Sequence, residues 1–197
     1  MTRIGIILGS TRPGRRAGRV GDWVLEVAGR HPLVLAGTAE VELVDLAEYR
    51  LPLLDEPEPA IRGRYRHEHT MAWAATIDSF DGFLFVTPEY NHSVSGALKN
   101  AIDFLYREWH DKAAGCVGYG AAGAVRAVEH LRQILGEVGV ATVRTQVALD
   151  KHTDTELFTD PDAWVPGAEQ TARLNLVLEQ VVTWSKALGQ RPAAARD

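Results

Sequence analysis

The sequence predicts an α/β protein with an open, doubly wound sheet of five parallel strands and helices on both faces. Two observations predict it. Five short apolar runs contain few charged residues, which is typical of strands that are buried on both faces. A stretch with helical apolar periodicity follows each run. Strands that alternate with helices need crossover connections, and these produce a parallel sheet covered by helices.

The five apolar runs are the predicted strands. They cover residues 4–8, 41–44, 83–86, 116–119 and 143–149. The first run ends in Gly9 and Ser10, and the third ends in Thr87 and Pro88. Such residues favour turns, so they mark the points where the chain leaves the sheet.

Apolar residues at intervals of three and four positions predict the helices. They cover residues 19–30, 65–80, 94–109, 125–138 and 169–188. The spacing places Met71, Ala74, Ala75 and Ile77 on the inner face of the second helix. On the inner face of the last helix it places Leu174, Val177, Leu178, Val181 and Trp184. Residues 51–61, which include three prolines, and residues 151–167 are predicted loops.

Length and composition limit the class of protein. With 197 residues, we expect one domain over residues 1–189 and a disordered tail over residues 190–197. The apolar fraction of 46% and charged fraction of 24% are typical of globular proteins. A net charge of −5 argues against general binding of nucleic acids or anionic membranes. Cys116 is the single cysteine, which suits a reducing compartment. No apolar run approaches the roughly 20 residues of a membrane span. We therefore expect a cytoplasmic protein.

Ligands of such sheets bind at the carboxyl ends of the strands, so the loops after the first, third and fourth strands are the candidates. The first loop, residues 9–19, carries four arginines within eight residues at a helix N-terminus, where free amides and the helix dipole attract anions. A solvated basic turn is the alternative, but so many cations in an acidic chain favour phosphate binding. The groups that would contact the phosphate are Ser10, Thr11, Arg12, Arg15 and Arg16.

The second loop, residues 87–96, combines Tyr90 with a plausible helix cap, Ser93. The ring of Tyr90 and the loop amides could hold a flat heteroaromatic group. Taken alone, however, the segment is as well explained by a capped turn with an exposed tyrosine.

The third loop, residues 118–123, fits the pattern Gly-x-Gly-x-x-Gly after a strand. A dinucleotide site normally has this pattern in the first β-α unit, with an acidic residue about 20 positions later. Here the pattern lies in the fourth unit, and the first acidic residue beyond the next strand is Asp150. We therefore interpret it as a glycine loop that lets the backbone approach a ligand closely.

Together the three loops resemble the NAD(P)H-dependent FMN reductases of the flavodoxin-like fold. The resemblance covers residues 3–140. It rests on Gly-Ser-Thr-Arg-Pro-Gly-Arg in the first loop, Pro-Glu-Tyr-Asn-His-Ser and Gly-Ala-Leu-Lys-Asn-Ala-Ile-Asp in the second loop and its helix, and Tyr-Gly in the third loop. It implies the strand order 2-1-3-4-5 and non-covalent FMN. It also implies a homodimer or homotetramer in which the third long helix packs near the partner's site.

The resemblance also implies a role for each loop. The first loop would hold the FMN phosphate through Ser10, Thr11, Arg12 and Arg15, together with the backbone amide of Arg16. The other two would hold the isoalloxazine ring, with contacts from Pro88, Glu89, Tyr90, Asn91, Gly118, Tyr119 and Gly120. Many members of the family carry a serine where this chain has Arg15, which implies a more ionic phosphate contact. Which of the three arginines dominates that contact stays open.

The implied activity is an NAD(P)H-dependent flavin oxidoreductase. Hydride passes from NADPH or NADH to FMN, and a small acceptor then takes the electrons: a quinone, azo compound, metal oxyanion, oxygen or free flavin. Loop amides would stabilise the negative charge of reduced flavin, so no catalytic side chain is assigned. A flavodoxin-like electron carrier, a non-catalytic FMN sensor and a phosphate-binding domain without flavin remain alternatives. Whether FMN stays bound or is released also stays open.

Three other features are not assigned to the site. His67 and His69 do not match a zinc-binding helix motif, and residues two apart on a helix point away from each other. Cys116 is expected to be a buried, inert thiol. Lys99 and Asp103, one helical turn apart, predict a surface ion pair.

Overall fold

A computed structural model describes residues 1–189 and contains one five-stranded parallel sheet. Its strands are β1 (Thr2–Leu8), β2 (Ala39–Asp45), β3 (Gly82–Pro88), β4 (Ala113–Gly120) and β5 (Ala141–Asp150). Their order is β2-β1-β3-β4-β5, and every neighbouring pair is parallel. The doubly wound fold and the 2-1-3-4-5 order are therefore confirmed. The predicted disordered tail, residues 190–197, lies outside the described residues.

Eight α-helices connect the described strands or follow them. They are α1 (Ala17–Gly29), α2 (Pro32–Leu35), α3 (Leu46–Tyr49), α4 (Glu68–Asp78), α5 (Gly96–Asp103), α6 (Val125–Glu137), α7 (Thr155–Thr159) and α8 (Ala168–Gly189). Helices α1 and α8 pack on one face of the sheet, and α4, α5 and α6 pack on the other. Short 3₁₀ turns cover Ala60–Arg62 and Arg107–Trp109. Helices α2, α3 and α7 are too short to show apolar periodicity, and the sequence did not predict them.

The core consists of two apolar layers, one on each face of the sheet. Strand β3 is buried along its whole length and alternates between them. Phe83 and Phe85 belong to the layer under α4, α5 and α6, whereas Leu84 and Val86 belong to the layer under α1 and α8. Burying one such side chain stabilises the fold by about 1.5–3 kcal/mol, so the two layers hold the central strands rigidly.

Two predicted helices differ from those observed. The helix predicted over residues 65–80 is confined to α4, and its inner face is set by Trp73, whose indole N–H donates to the Ala101 carbonyl at 2.8 Å. Ala74 and Ile77 are buried on this face, as predicted, whereas Met71 and Ala75 are exposed, contrary to prediction. The helix predicted over residues 94–109 is split into α5 and a 3₁₀ turn.

The inner face of α8 differs from the prediction at Trp184. This side chain is 44% exposed, so it does not lie on the inner face as predicted.

Within residues 1–189, no helix combines the length and the apolar character needed to cross a bilayer.

The sheet register brings the three candidate loops together. Leu8, the last residue of β1, pairs with Val86 of β3. Thr87 and Pro88 pair with Gly118 and Tyr119 of β4. Because the strands are parallel and adjacent, the loops that follow them leave the same edge of the sheet side by side.

Candidate functional site

The first loop is tied to the start of α5. The amide of Gly9 donates to the carbonyl of Val86 at 2.8 Å, and the carbonyl of Gly9 accepts from the hydroxyl of Ser95. Ser95 also caps α5, because its hydroxyl oxygen accepts from the amide of Leu98 at 3.1 Å. The helix cap is thus Ser95 and not Ser93, as the sequence suggested. Ser95 joins the first loop to the helix that follows the second.

The arginines of the first loop have different surroundings. Arg15 forms a half-buried ion pair with Asp45 at the end of β2. Arg16 donates to the carbonyl of Phe158 at 3.1 Å, and this hydrogen bond attaches the loop to α7. Arg12 is exposed, and its side chain makes no hydrogen bond or ion pair with any residue of the described chain. Arg12 is therefore the cation of this loop that is available to a ligand.

Three hydroxyls converge beneath the first loop. Ser10 is fully buried, and its oxygen lies 2.9 Å from the hydroxyl of Tyr90 in the second loop. The hydroxyl of Tyr119, from the end of β4, is buried and has no hydrogen-bond partner among residues 1–189. Burial raises the pKa of Tyr119, and Tyr90 raises it further, whereas nearby Ser10, Arg15 and Arg12 oppose the shift. Tyr119 therefore stays protonated and keeps its hydroxyl proton.

The second loop is a tight turn defined by its backbone. Tyr90 and Ser93 exchange backbone hydrogen bonds of 2.9 and 3.2 Å. Between them, Asn91 has φ 48° and His92 has φ 76°. Two consecutive positive φ values define a type I′ turn, which is unusual without glycine. Ser93 also bonds through its hydroxyl to Nδ1 of His130 at 3.0 Å, so the turn is fixed to α6.

Glu89 holds the second loop against the third. Its side chain is only 7% exposed and forms an ion pair with Arg126. It also accepts from the amides of Arg126 and Ala127 at 3.2 and 3.3 Å, at the start of α6. Burial alone would raise the pKa of Glu89, but these hydrogen bonds and the Arg126 charge lower it below its usual value. The carboxylate therefore faces the start of α6.

The glycines of the third loop allow close packing inside the protein. A Cβ atom at Gly118 would lie 2.7 Å from the carbonyl oxygen of Gly123. At Gly123, where φ is 63°, it would lie 2.7 Å from the Cβ of Ala148. Gly120 faces Glu89, since a Cβ there would lie 3.5 Å from that of Glu89. The glycine pattern thus shapes the loop and brings it against the second loop.

The structure therefore brings every predicted site residue to one edge of the sheet, but it separates their roles. Arg12 and Thr11 are exposed, whereas Ser10 is buried and Arg15 is engaged with Asp45. Sequence reasoning missed three supporting residues: Asp45, Ser95 and Arg126. Of these, only Ser95 had a local signal, a hydroxyl immediately before an apolar helical pattern.

The features outside the site have ordinary structural roles. The rings of His67 and His69 stack at 5.1 Å, because His67 precedes α4 instead of lying on it. This corrects the prediction that they point apart. Within residues 1–189, no cluster of three or more His, Cys, Asp or Glu side chains could hold a metal ion. Cys116 is buried, and burial raises the pKa of its thiol to about 12. Lys99 and Asp103 form the predicted ion pair at 2.5 Å.

Comparison with known proteins identifies the family. A family model described as NADPH-dependent FMN reductase matches residues 2–154. The chain belongs to this family. An NAD(P)H-dependent FMN reductase from Nectria sp is 35% identical over 175 residues, which cover 86% of this chain and 85% of that protein. A quinone reductase from Escherichia coli is 35% identical over 136 residues, or 66% of each chain.

The solved structures agree on the fold. The flavoenzyme NAD(P)H:acceptor oxidoreductase FerB from Paracoccus denitrificans superposes with a TM-score of 0.70, covering 95% of this chain and 98% of its own. At 23% identity, this likeness concerns the fold alone. Family membership confirms the sequence-based interpretation: the protein is an NAD(P)H-dependent flavin oxidoreductase whose cofactor is FMN.

Proposed function

We propose that residues 1–189 act as one FMN-binding domain that passes electrons from NAD(P)H through FMN to a small acceptor, with a quinone as the first candidate. One observation supports the proposal most directly. Arg12, whose side chain has no partner among the described residues, lies at the same edge of the sheet as the second and third loops. The exposed cation suits a phosphate and the two loops suit a flat ring, and FMN carries both groups on one molecule.

The first loop fits the FMN phosphate. Arg12 and Thr11 are exposed at the N-terminal end of α1, a 13-residue helix whose dipole favours an anion. The unpartnered hydroxyl of Tyr119 beneath the loop adds a donor to this surrounding. Arg15 would act mainly by positioning the loop through Asp45, and Arg16 by attaching it to α7. The charge that meets the phosphate would then come chiefly from Arg12.

The second and third loops fit the isoalloxazine ring. The segment from Pro88 to Asn91 would border the ring with backbone atoms, and the segment from Gly118 to Gly120 would border its other side. Bound FMN supplies the chemistry of this family, because its ring accepts a hydride and gives the electrons to a second substrate. The chain holds the ring in place. Loop amides would stabilise the negative charge that reduction adds, because fixed dipoles need no reorganisation.

Glu89 is the buried carboxylate next to these loops, and it does not act as a base in this proposal. Its ion pair with Arg126 and its two amide contacts keep it ionised and directed at α6. Tyr119 stays protonated because burial disfavours its anion. The site therefore works by binding and orientation, which suits a hydride transfer between two stacked rings.

The acceptor is proposed from the relatives. The Escherichia coli relative is named a quinone reductase, and a Solanum tuberosum relative is named an NAD(P)H:quinone oxidoreductase. A flat quinone could use the same stacking position as the nicotinamide ring. Azo compounds, metal oxyanions, oxygen and free flavin are the other acceptor classes, and both NADPH and NADH are candidate donors.

We also propose a homodimer or homotetramer in the cytoplasm. Leu53 is 86% exposed, and its neighbour Leu54 is bound through its amide to Asn100 of α5. Exposed leucines beside this helix suit a contact between two copies of the chain. The single cysteine, Cys116, is a buried free thiol, which suits a reducing compartment such as the cytoplasm.

The test is an anaerobic absorption titration of the purified protein. FMN is added first, and then NADPH or NADH. We expect a yellow complex that bleaches rapidly with one donor and recovers its colour when a quinone is added. A yellow complex that resists both donors would favour a carrier or sensor. Protein that binds no FMN would overturn the proposal, leaving a phosphate-binding domain.

A further inference from the structure

Glu89 and Arg126 form a charge pair at the junction of the second and third loops. The two side chains differ in accessibility, since Glu89 is 7% exposed and Arg126 is 44% exposed. The backbone of Glu89 continues directly into the type I′ turn, and its Cβ lies beside Gly120. The pair thus lies in the wall between the two loops that are proposed to border the flavin ring.

The carboxylate is held by more than its charge partner. Two backbone amides at the start of α6 donate to it, and neither depends on the side chain of Arg126. Removing the guanidinium would therefore leave Glu89 in place with its negative charge uncompensated. Removing the carboxylate charge would instead leave Arg126 with an uncompensated positive charge beside the same loops.

Reduction adds negative charge to the flavin ring, so its equilibrium responds to any net charge in this wall. A unit charge at about 10 Å, with an effective dielectric constant of about 20 to 40, changes such an equilibrium by about four- to sixteenfold. A compensated pair has a much smaller effect, because its two fields nearly cancel.

We propose that Arg126 cancels the charge of Glu89, so that neither charge alone shifts the preference of the site between reduced and oxidised flavin. The inference rests on the proposed function, because it assumes that the ring lies between the second and third loops. It makes Glu89 and Arg126 positioning residues whose charges act on the flavin from the wall, without contact with the transferred hydride.

A purely structural role makes a different prediction. If the pair only holds the loops together, then loss of either partner loosens them in the same way. Oxidised and reduced FMN would then be weakened alike, and their affinity ratio would not change. The charge role predicts opposite changes in that ratio for the two partners.

The experiment measures dissociation constants for oxidised FMN and for dithionite-reduced FMN, anaerobically and at low salt. The variants are Glu89→Gln, Arg126→Gln and the double variant. We expect the preference for reduced FMN to rise about four- to sixteenfold in Glu89→Gln and to fall similarly in Arg126→Gln. A tenfold change corresponds to about 30 mV for a two-electron couple. The double variant should return close to the wild-type ratio.

Two controls complete the design. Glu129→Gln removes a more exposed carboxylate from the same helix and should leave the ratio unchanged. Arg126→Lys keeps the charge and should restore the wild-type ratio even if it binds FMN less tightly. Should Glu89→Gln fold poorly, the pair Arg126→Gln and Arg126→Lys tests the sign alone.

The outcomes separate this inference from the proposed function. Wild-type protein that binds no FMN in either state overturns both. Wild-type protein that binds FMN, with single variants that shift the ratio in the same direction or leave it unchanged, overturns the charge role alone. Opposite shifts that cancel in the double variant support it.

Discussion

The first and second loops meet at one edge of the sheet, but different forces hold them. The first loop is held by side chains: Arg15 reaches Asp45, and Arg16 reaches the backbone of α7. The turn of the second loop takes its shape from its own backbone, as a type I′ turn through Asn91 and His92. The difference teaches that a cationic loop can commit most of its cations to the protein itself. In this loop, the side chain of Arg12 makes no such contact, so Arg12 is the residue that can bind the ligand.

The largest expected effect comes from that uncommitted group. Arg12→Gln should weaken FMN binding by about ten- to a hundredfold, because a charge-assisted hydrogen bond contributes about 1.5–3 kcal/mol. Riboflavin, which lacks the phosphate, should bind equally well to the variant and to the wild type. Quenching of flavin fluorescence measures both affinities.

Arg16→Gln is the matched control for that prediction. It removes a cation from the same loop, but one that donates to the backbone carbonyls of Gly14 and Phe158. We expect a lower melting temperature and a smaller loss of FMN affinity than for Arg12→Gln. If Arg16→Gln weakens FMN more than Arg12→Gln does, the assignment of the free cation is wrong.

The arginines also show where prediction from sequence stops. Their number and their place before a helix identified an anion-binding loop, because those are properties of composition and local order. Which arginine is free depends on Asp45 and Phe158, which are distant in sequence and reach the loop only through the sheet order and the packing of α7. No local pattern carries that information.

The second largest effect tests the connection between the two loops. Ser95 caps α5 and also donates to the carbonyl of Gly9. Ser95→Ala should lower the free energy of unfolding by about 1–3 kcal/mol, because it removes a helix cap and leaves a buried carbonyl unpaired. Urea unfolding of the purified protein measures the loss.

Ser93→Ala is the control for the cap. Ser93 is the hydroxyl that the sequence suggested as the cap, but it lies in the turn and bonds to His130 near the surface. Its loss should lower the unfolding free energy by less than about 1 kcal/mol. Equal losses for the two serines would contradict the assignment of Ser95 as the residue that joins the loops.

A smaller effect depends on pH and arises from the buried carboxylate of Glu89. The folded pKa of Glu89 is lowered, so its ionised form contributes stability above the unfolded value of 4.5. That contribution is lost as the pH falls from 4.5 through the folded pKa. Glu89→Gln should therefore be less stable than wild type at neutral pH, and the difference should shrink in acid. Urea unfolding at a series of pH values checks this; a difference independent of pH would contradict it.

The fold was predicted better than the site because its signals are repetitive. Buried strands such as β3 consist of apolar residues throughout, and the crossover helices between them require a parallel sheet. Only part of the inner face of α4 was predicted correctly, because Trp73 selects the buried face through a contact with α5. The turn at Asn91 and His92 could not be predicted at all, since neither residue is a glycine and both adopt positive φ.

The smallest expected effect sharpens the description of that turn. His92 has φ 76°, a conformation that disfavours most side chains, whereas Asn91 tolerates its φ of 48°. His92→Gly should raise the free energy of unfolding by about 0.5 kcal/mol, because relief of backbone strain exceeds the added entropy of an unfolded glycine. Asn91→Gly should change it less. Urea unfolding of both variants measures the difference. If His92→Gly is the less stable of the two, the turn is held by the His92 side chain, whose ring lies 6.3 Å from that of His130, and not by its backbone. The second loop would then resemble the first, and the contrast between the two loops would fail.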